Sequence, residues 1–96
     1  MKIVITEQAL KWFYDEMNAQ SGDYIRFYAR YGGSNPFHTG FSLGMSKDDP
    51  LTPSIVLQRN GITFFIEKDD EWFFNDHDLI VDFDEEIDEL KYEYKQ

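Results

Sequence analysis

The chain has 96 residues, no cysteine, and a formal net charge of −10 at neutral pH. Without cysteine, disulfides, thiol nucleophiles and thiolate-bound zinc or iron–sulphur sites are excluded. With 42% hydrophobic residues, a chain of this length is predicted to fold as one domain over residues 1–96. No apolar run approaches the roughly 18 residues of a membrane span, so we expect a cytoplasmic protein without a membrane partner.

The negative charge is concentrated in the last third of the chain. Residues 1–66 contain six acidic and six basic side chains, whereas residues 67–96 contain thirteen acidic and three basic ones. An acidic surface repels phosphate groups, so nucleic acid is not an expected partner. The charge favours either a solvated surface or contact with a basic protein.

A short strand at residues 2–5 is followed by an amphipathic helix. Thr6 is a favourable N-cap, because its hydroxyl can accept a hydrogen bond from a first-turn amide. Apolar side chains then recur at spacings of three and four residues, at Ala9, Leu10, Phe13 and Met17. This spacing predicts one helix that ends near residues 18–22.

Two predicted strands flank a glycine-rich loop. The alternation in YIRFYARY, residues 24–31, predicts a half-buried strand. We expect one face of this strand to enter the core, with Ile25, Phe27, Ala29 and Tyr31. The other face carries two arginines and two tyrosines, whose rings the guanidinium stems can cover. After the loop, alternation resumes in FSLGM, residues 41–45.

The second half of the chain contains a hairpin and one helical turn. Asn60-Gly61 between two apolar runs is the strongest short signal for a β-hairpin. The segment KDDEWFFN, residues 68–75, predicts a single helical turn with an acidic start. Its three consecutive aromatic residues cannot all face inward from a strand, so at least one is expected at the surface or at a homodimer contact.

The chain ends with one further strand and an acidic segment. Leu79, Val81 and Phe83 alternate with Ile80 and Asp82, which predicts the strand. The segment at residues 85–96 is either an edge strand or mobile. Together these elements predict an α+β fold of about six or seven short strands in mixed or antiparallel sheets, with one N-terminal amphipathic helix.

Ser34, His38 and His77 are the candidate metal ligands. Asp76 and Asp78 flank His77, and in a turn these three side chains can reach one hard cation. The competing interpretation is a solvated turn at the head of a strand. Ser34 and His38 could also form a nucleophile and its base, although the loop contains no acidic residue to orient the histidine.

The order of the elements resembles the HesB/IscA-type domain of iron–sulphur cluster biogenesis, over residues 2–83. The resemblance lies in ITEQALKWFYDEM, YIRFYARYGG, GFSLGM, IVLQRNGITFFIE and WFFNDHDLIVDF. It implies a compact β-rich fold, dimers or tetramers, and cluster binding through a loop cysteine and a C-terminal Cys-x-Cys pair. The loop cysteine position falls on Ser34, and the C-terminal pair has no counterpart.

The resemblance implies a non-catalytic protein of iron–sulphur cluster assembly or iron handling that is not itself a cluster carrier. Its expected partners are proteins of the assembly system or a second copy of the chain. The cofactor that a sequence without cysteine still allows is iron, held by the hard ligands Ser34, His38 and His77. Two alternatives are an acidic protein-interaction module that binds no metal and an enzyme that uses Ser34 and His38.

Overall fold

The computed structural model describes residues 1–96, which form one α-helix, one 3-10 helix and seven strands. The helix α1 spans Glu7–Glu16, and the 3-10 helix spans Lys68–Phe74. The strands are β1 (Ile3–Ile5), β2 (Tyr24–Ser34), β3 (Thr39–Lys47), β4 (Pro53–Arg59), β5 (Ile62–Glu67), β6 (Asp78–Asp84) and β7 (Glu89–Lys95). Neither helix has the length and apolar character that crossing a membrane requires.

The strands form two mixed sheets. The three-stranded sheet has the order β1-β6-β7, with β1 parallel and β7 antiparallel to β6. The four-stranded sheet has the order β3-β2-β5-β4, with β2 and β5 parallel and the two outer pairs antiparallel. The predicted α+β fold, rich in strands and with an N-terminal helix, is confirmed.

Helix α1 begins where the sequence predicts and ends earlier. The Ala9 backbone N–H donates to the Thr6 hydroxyl at 3.2 Å, so Thr6 is the N-cap. The helix ends at Glu16 because Asn18, two residues on, adopts a left-handed backbone with a φ of 52°. A left-handed residue cannot continue a right-handed helix.

One cluster of buried side chains joins α1, the 3-10 helix and both sheets. The Phe13 ring of α1 lies 5.0 Å from the Phe64 ring and 6.3 Å from the Phe27 ring, centroid to centroid, and meets both edge-on. Phe73 and Phe74 of the 3-10 helix are fully buried in the same cluster. Edge-to-face aromatic packing adds to the stabilisation from apolar burial.

The hairpin and the helical turn predicted in the second half of the chain are both confirmed. Asn60 and Gly61 have φ values of 52° and 81°, which the tight turn between β4 and β5 requires. The C-terminal segment, for which the sequence left two options, forms the edge strand β7. The helical turn at residues 68–75 is the 3-10 helix, and the strand after His77 begins at Asp78.

The prediction that Tyr31 faces the core is wrong. Tyr31 shares its strand face with Phe27 but is 88% exposed. The reason is that β2 pairs with β5 only as far as Phe27, and the rest of β2 continues with β3 beyond the core. The Tyr31 ring packs instead on Phe41, its cross-strand partner.

The other face of β2 agrees with the prediction of stacked tyrosine and arginine. The Arg26 guanidinium lies 5.2 Å from the centroid of the Tyr28 ring. The same ring covers Gly44 on β3, where a Cβ would lie within 2.9 Å of three ring carbons. Gly44 therefore provides the space in which the Tyr28 ring lies flat on the sheet.

Candidate functional site

The loop between β2 and β3 is held by hydrogen bonds within the loop. The Asn35 side-chain oxygen accepts from the backbone N–H groups of Phe37 and His38, at 3.0 and 2.7 Å. The Asn35 N–H in turn donates to the His38 carbonyl at 3.0 Å. Gly32 and Gly33 have φ values of 105° and 71°, which allow β2 to bulge before the loop.

The three candidate metal ligands have different surroundings. Ser34 is exposed, and the His38 ring stacks on Phe73 at 5.8 Å. His77 Nδ1 lies 2.6 Å from the Asn75 carbonyl oxygen. The Phe37 ring centroid lies 6.4 Å from that of His38 and 4.7 Å from that of His77.

No three histidine, aspartate or glutamate side chains form a cluster that could hold a metal ion. Iron binding at Ser34, His38 and His77 stays a prediction. His38 Nε2 is buried and has no hydrogen-bond partner. No hydrogen bond joins Ser34 to His38 or links the imidazole to a carboxylate, so the structure supplies no orienting acid for a catalytic triad.

A row of aromatic side chains crosses the surface beside this loop. We call Tyr31, Phe41 and Trp72 the aromatic ridge. The ring centroids lie 5.5 Å apart between Tyr31 and Phe41, and 5.2 Å apart between Phe41 and Trp72. Both pairs meet nearly perpendicular, and Trp72 continues to His38 at 4.9 Å. The ridge is therefore continuous and joins the loop at His38.

The expectation for Trp72-Phe73-Phe74 is partly confirmed. Trp72 is 47% exposed, whereas its two neighbours are fully buried. The homodimer contact suggested with it stays a prediction. The alternation in YIRFYARY did not reveal that Tyr31 is exposed; the available signal was its position directly before Gly32-Gly33, where β2 bulges.

An ion pair fixes the 3-10 helix that carries Trp72. Arg26 Nη2 on β2 donates to Asp70 Oδ2 at 2.6 Å, and the Ala29 backbone N–H donates to Asp70 Oδ1 at 3.4 Å. Asp70 is buried, and its carboxylate raises the pKa of Arg26 above the ordinary value. The helix therefore covers the part of β2 that has no β5 partner.

Exposed carboxylates lie on the 3-10 helix that carries Trp72 and directly after it. Asp69 and Glu71 flank the buried Asp70, and Asp76 follows the 3-10 helix. We call Asp69, Glu71 and Asp76 the acidic rim. The charged residues of the 3-10 helix are three acids and one base, Lys68, at its first position. Because alternate strand residues face opposite sides, the cation of Arg30 points away from the side of Tyr31.

A groove of about 300 Å³ lies between the loop and β7. It is lined by Ser34, Asn35 and Ser42 and by Tyr92 and Tyr94 of β7. Burial raises the pKa of both tyrosines. Asn35 Nδ2 and Ser42 Oγ are buried there without a hydrogen-bond partner.

Comparison with known proteins shows relatives over the whole chain. A protein of Bacillus subtilis named pyruvate dehydrogenase inhibitor is 45% identical over 95 residues, which cover 99% of this chain and all of the relative. An uncharacterized protein of Staphylococcus saprophyticus is 34% identical, again over 99% of this chain and all of the relative. Another from Staphylococcus haemolyticus is 30% identical over 96% of each chain. No protein-family model and no solved structure matches the chain.

These findings correct the resemblance to the HesB/IscA family and the iron–sulphur role that it implied. No HesB/IscA model matches, and the B. subtilis relative has the name of a regulator of a different process. Short strands, a glycine loop and a hairpin recur in many β-rich folds, so their order alone does not identify a family. A regulator is compatible with the expectation of a protein that is not an enzyme. The chain belongs to the family of the B. subtilis pyruvate dehydrogenase inhibitor.

Proposed function

We propose that this chain inhibits a pyruvate dehydrogenase by binding to it directly. The observation that carries the proposal is the 45% identity, over 99% of the chain, with the B. subtilis inhibitor. The match covers the whole of the relative. The aromatic ridge supports a contact mechanism, because exposed aromatic side chains are enriched at protein interfaces.

In this proposal the chain acts by occupying a surface of the enzyme, without a covalent change. Ser34 and His38, the pair considered for catalysis, share no hydrogen bond, and the His38 Nε2 atom is buried. The main features of the loop are an internal hydrogen-bonded turn and the adjoining aromatic ridge. An inhibitor of this kind acts in proportion to the amount bound and is released on dilution.

The test is a titration of purified pyruvate dehydrogenase with the purified chain, read as the rate of pyruvate oxidation. We expect the rate to fall as the chain is added and to level off once all its binding sites on the enzyme are occupied, at a fixed ratio of chain to enzyme. Preincubation should not deepen the inhibition, and dilution should restore the rate. An unrelated acidic protein of similar size and charge controls for nonspecific electrostatic effects.

Two results would contradict the proposal. An unchanged rate in a large excess of the folded chain would show that the chain does not inhibit the enzyme. Inhibition that grows with time at amounts far below that of the enzyme would point to a catalysed modification of the dehydrogenase instead of occupancy.

A further inference from the structure

We infer that the aromatic ridge and its acidic rim form the surface that contacts the partner, and that the partner presents an apolar cleft bordered by lysine or arginine. This inference rests on the proposed function and names the contact surface for it. It is carried by the exposure of the ridge, the fixed arrangement of its rings and the charges that border it.

The ridge is exposed at both of its ends. Tyr31 is 88% exposed and Trp72 is 47% exposed, so neither ring owes its position to complete burial in the core. A single exposed aromatic residue is ordinary on a protein surface, whereas a contiguous apolar patch indicates a contact. Phe41 joins the two rings into one patch.

The rings are also held in place before any partner binds. Tyr31 and Phe41 are cross-strand partners on β2 and β3, and Trp72 lies on a 3-10 helix tied to β2 by the Arg26–Asp70 ion pair. Each ring of the ridge packs edge-on against the next. Because each ring already packs against its neighbour, binding requires less ordering of these side chains, which favours affinity.

The charge around the ridge selects the chemistry of the partner. Asp69, Glu71 and Asp76 are exposed and form no ion pair within the chain. A typical stable interface buries about 800 Å² on each partner, which is more than three rings provide, so the rim would be included. Complementarity then requires lysine or arginine around the apolar cleft.

The same charge argues against a second copy of the chain on this surface. A two-fold symmetric dimer would place the ridge of one copy against the ridge of the other. Such a dimer would also bring together two copies that each carry a net charge of −10. Like charges facing across an interface disfavour such a pairing.

Matched alanine variants, compared in the inhibition titration, test the ridge. Tyr31→Ala and Trp72→Ala remove rings of the ridge, and Tyr24→Ala is the control for tyrosine loss. Tyr24 is 40% exposed and lies seven residues earlier on the same strand, about 23 Å away along β2. We expect each ridge variant to raise the concentration for half-inhibition about tenfold or more, and the control to change it less than about twofold.

A charge variant tests the basic border of the partner cleft. Glu71→Lys should raise the concentration for half-inhibition, whereas Glu16→Lys, at the far end of α1, should leave it nearly unchanged. Higher salt should weaken inhibition by the unaltered chain and narrow the difference between these two variants. Circular dichroism and thermal unfolding establish that each variant is folded.

The outcomes separate the inference from the proposed function. If the unaltered chain inhibits and folded ridge variants inhibit equally well, the contact surface is wrong and the proposed function stands. If the unaltered chain does not inhibit, both are wrong. If the chain is a dimer that the ridge variants dissociate, the ridge binds a second copy, and the assignment to a basic partner is overturned.

Discussion

At the scale of single residues, the Arg26–Asp70 ion pair decides where the 3-10 helix lies. Asp70 Oδ2 accepts from Arg26 Nη2 at 2.6 Å, and both side chains lie largely within the protein. Exposed surface pairs contribute little to stability, whereas a charge that loses its partner in a buried place is costly. Among the three acidic residues of the 3-10 helix, Asp70 is thus the one with a structural role.

We expect Asp70→Asn to lower the free energy of unfolding by about 2 kcal/mol, because Arg26 loses a charged hydrogen-bond acceptor. The neighbouring Asp69→Asn is the matched control, since Asp69 is exposed and forms no hydrogen bond. It should change the free energy by no more than about 0.5 kcal/mol. Urea unfolding measures both values, and equal effects would show that the ion pair does not stabilise the fold.

At the scale of elements, Thr6 connects the start of α1 to β6. Its hydroxyl accepts from the Ala9 N–H and donates to Asp82 Oδ1 at 2.9 Å, while its own N–H donates to the Val81 carbonyl. Hydrogen bonds from the Phe83 N–H and from the Thr6 hydroxyl lower the pKa of Asp82. One side chain therefore caps the helix and fixes it on the sheet.

We expect Thr6→Ala to lower the free energy of unfolding by about 1 kcal/mol, the usual contribution of a helix N-cap. Thr6→Ser retains the hydroxyl and should keep most of that stability. The comparison is made by thermal or urea unfolding of the two variants. A serine variant as unstable as the alanine variant would assign the loss to the Thr6 methyl group.

The elements were largely predictable because their signals are local. The Thr6 cap, the apolar spacing of α1 and the Asn60-Gly61 turn each lie within a few residues, and each is confirmed. Strand pairing is different, since it depends on segments far apart in the chain. The parallel pairing of β2 with β5 ends at Phe27, and no local pattern in YIRFYARY indicates that limit.

At the scale of the whole molecule, β7 packs against the loop and β3 through two tyrosines. The Tyr92 hydroxyl lies 3.9 Å from Met45 Sδ on β3, and the Tyr94 ring lies 5.4 Å from the Phe37 ring in the loop. Burial raises the pKa of both tyrosines above the ordinary value of 10.0. The packing thus favours their neutral, protonated form.

This packing predicts alkaline destabilisation. A pKa that is higher in the folded state means that the folded chain holds these protons more tightly, so their contribution is complete below about pH 10 and declines as the pH rises through the folded pKa. We expect the free energy of unfolding to fall above that pH. Tyr92→Phe/Tyr94→Phe should reduce the slope, and Tyr24→Phe should not, as measured by urea unfolding across alkaline pH. An equal slope in all variants would contradict the assignment to β7.

By itself the sequence determined the α+β class, the helix and its cap, the hairpin and the acidic last third, because composition, periodicity and turn chemistry are local. It also indicated that at least one residue of Trp72-Phe73-Phe74 lies at the surface or at an interface. Only the tertiary structure decided which aromatic residues meet there. Tyr31, Phe41 and Trp72 come from three separate segments, and they form one ridge because β2 and β3 extend beyond the core and an ion pair holds the 3-10 helix against them.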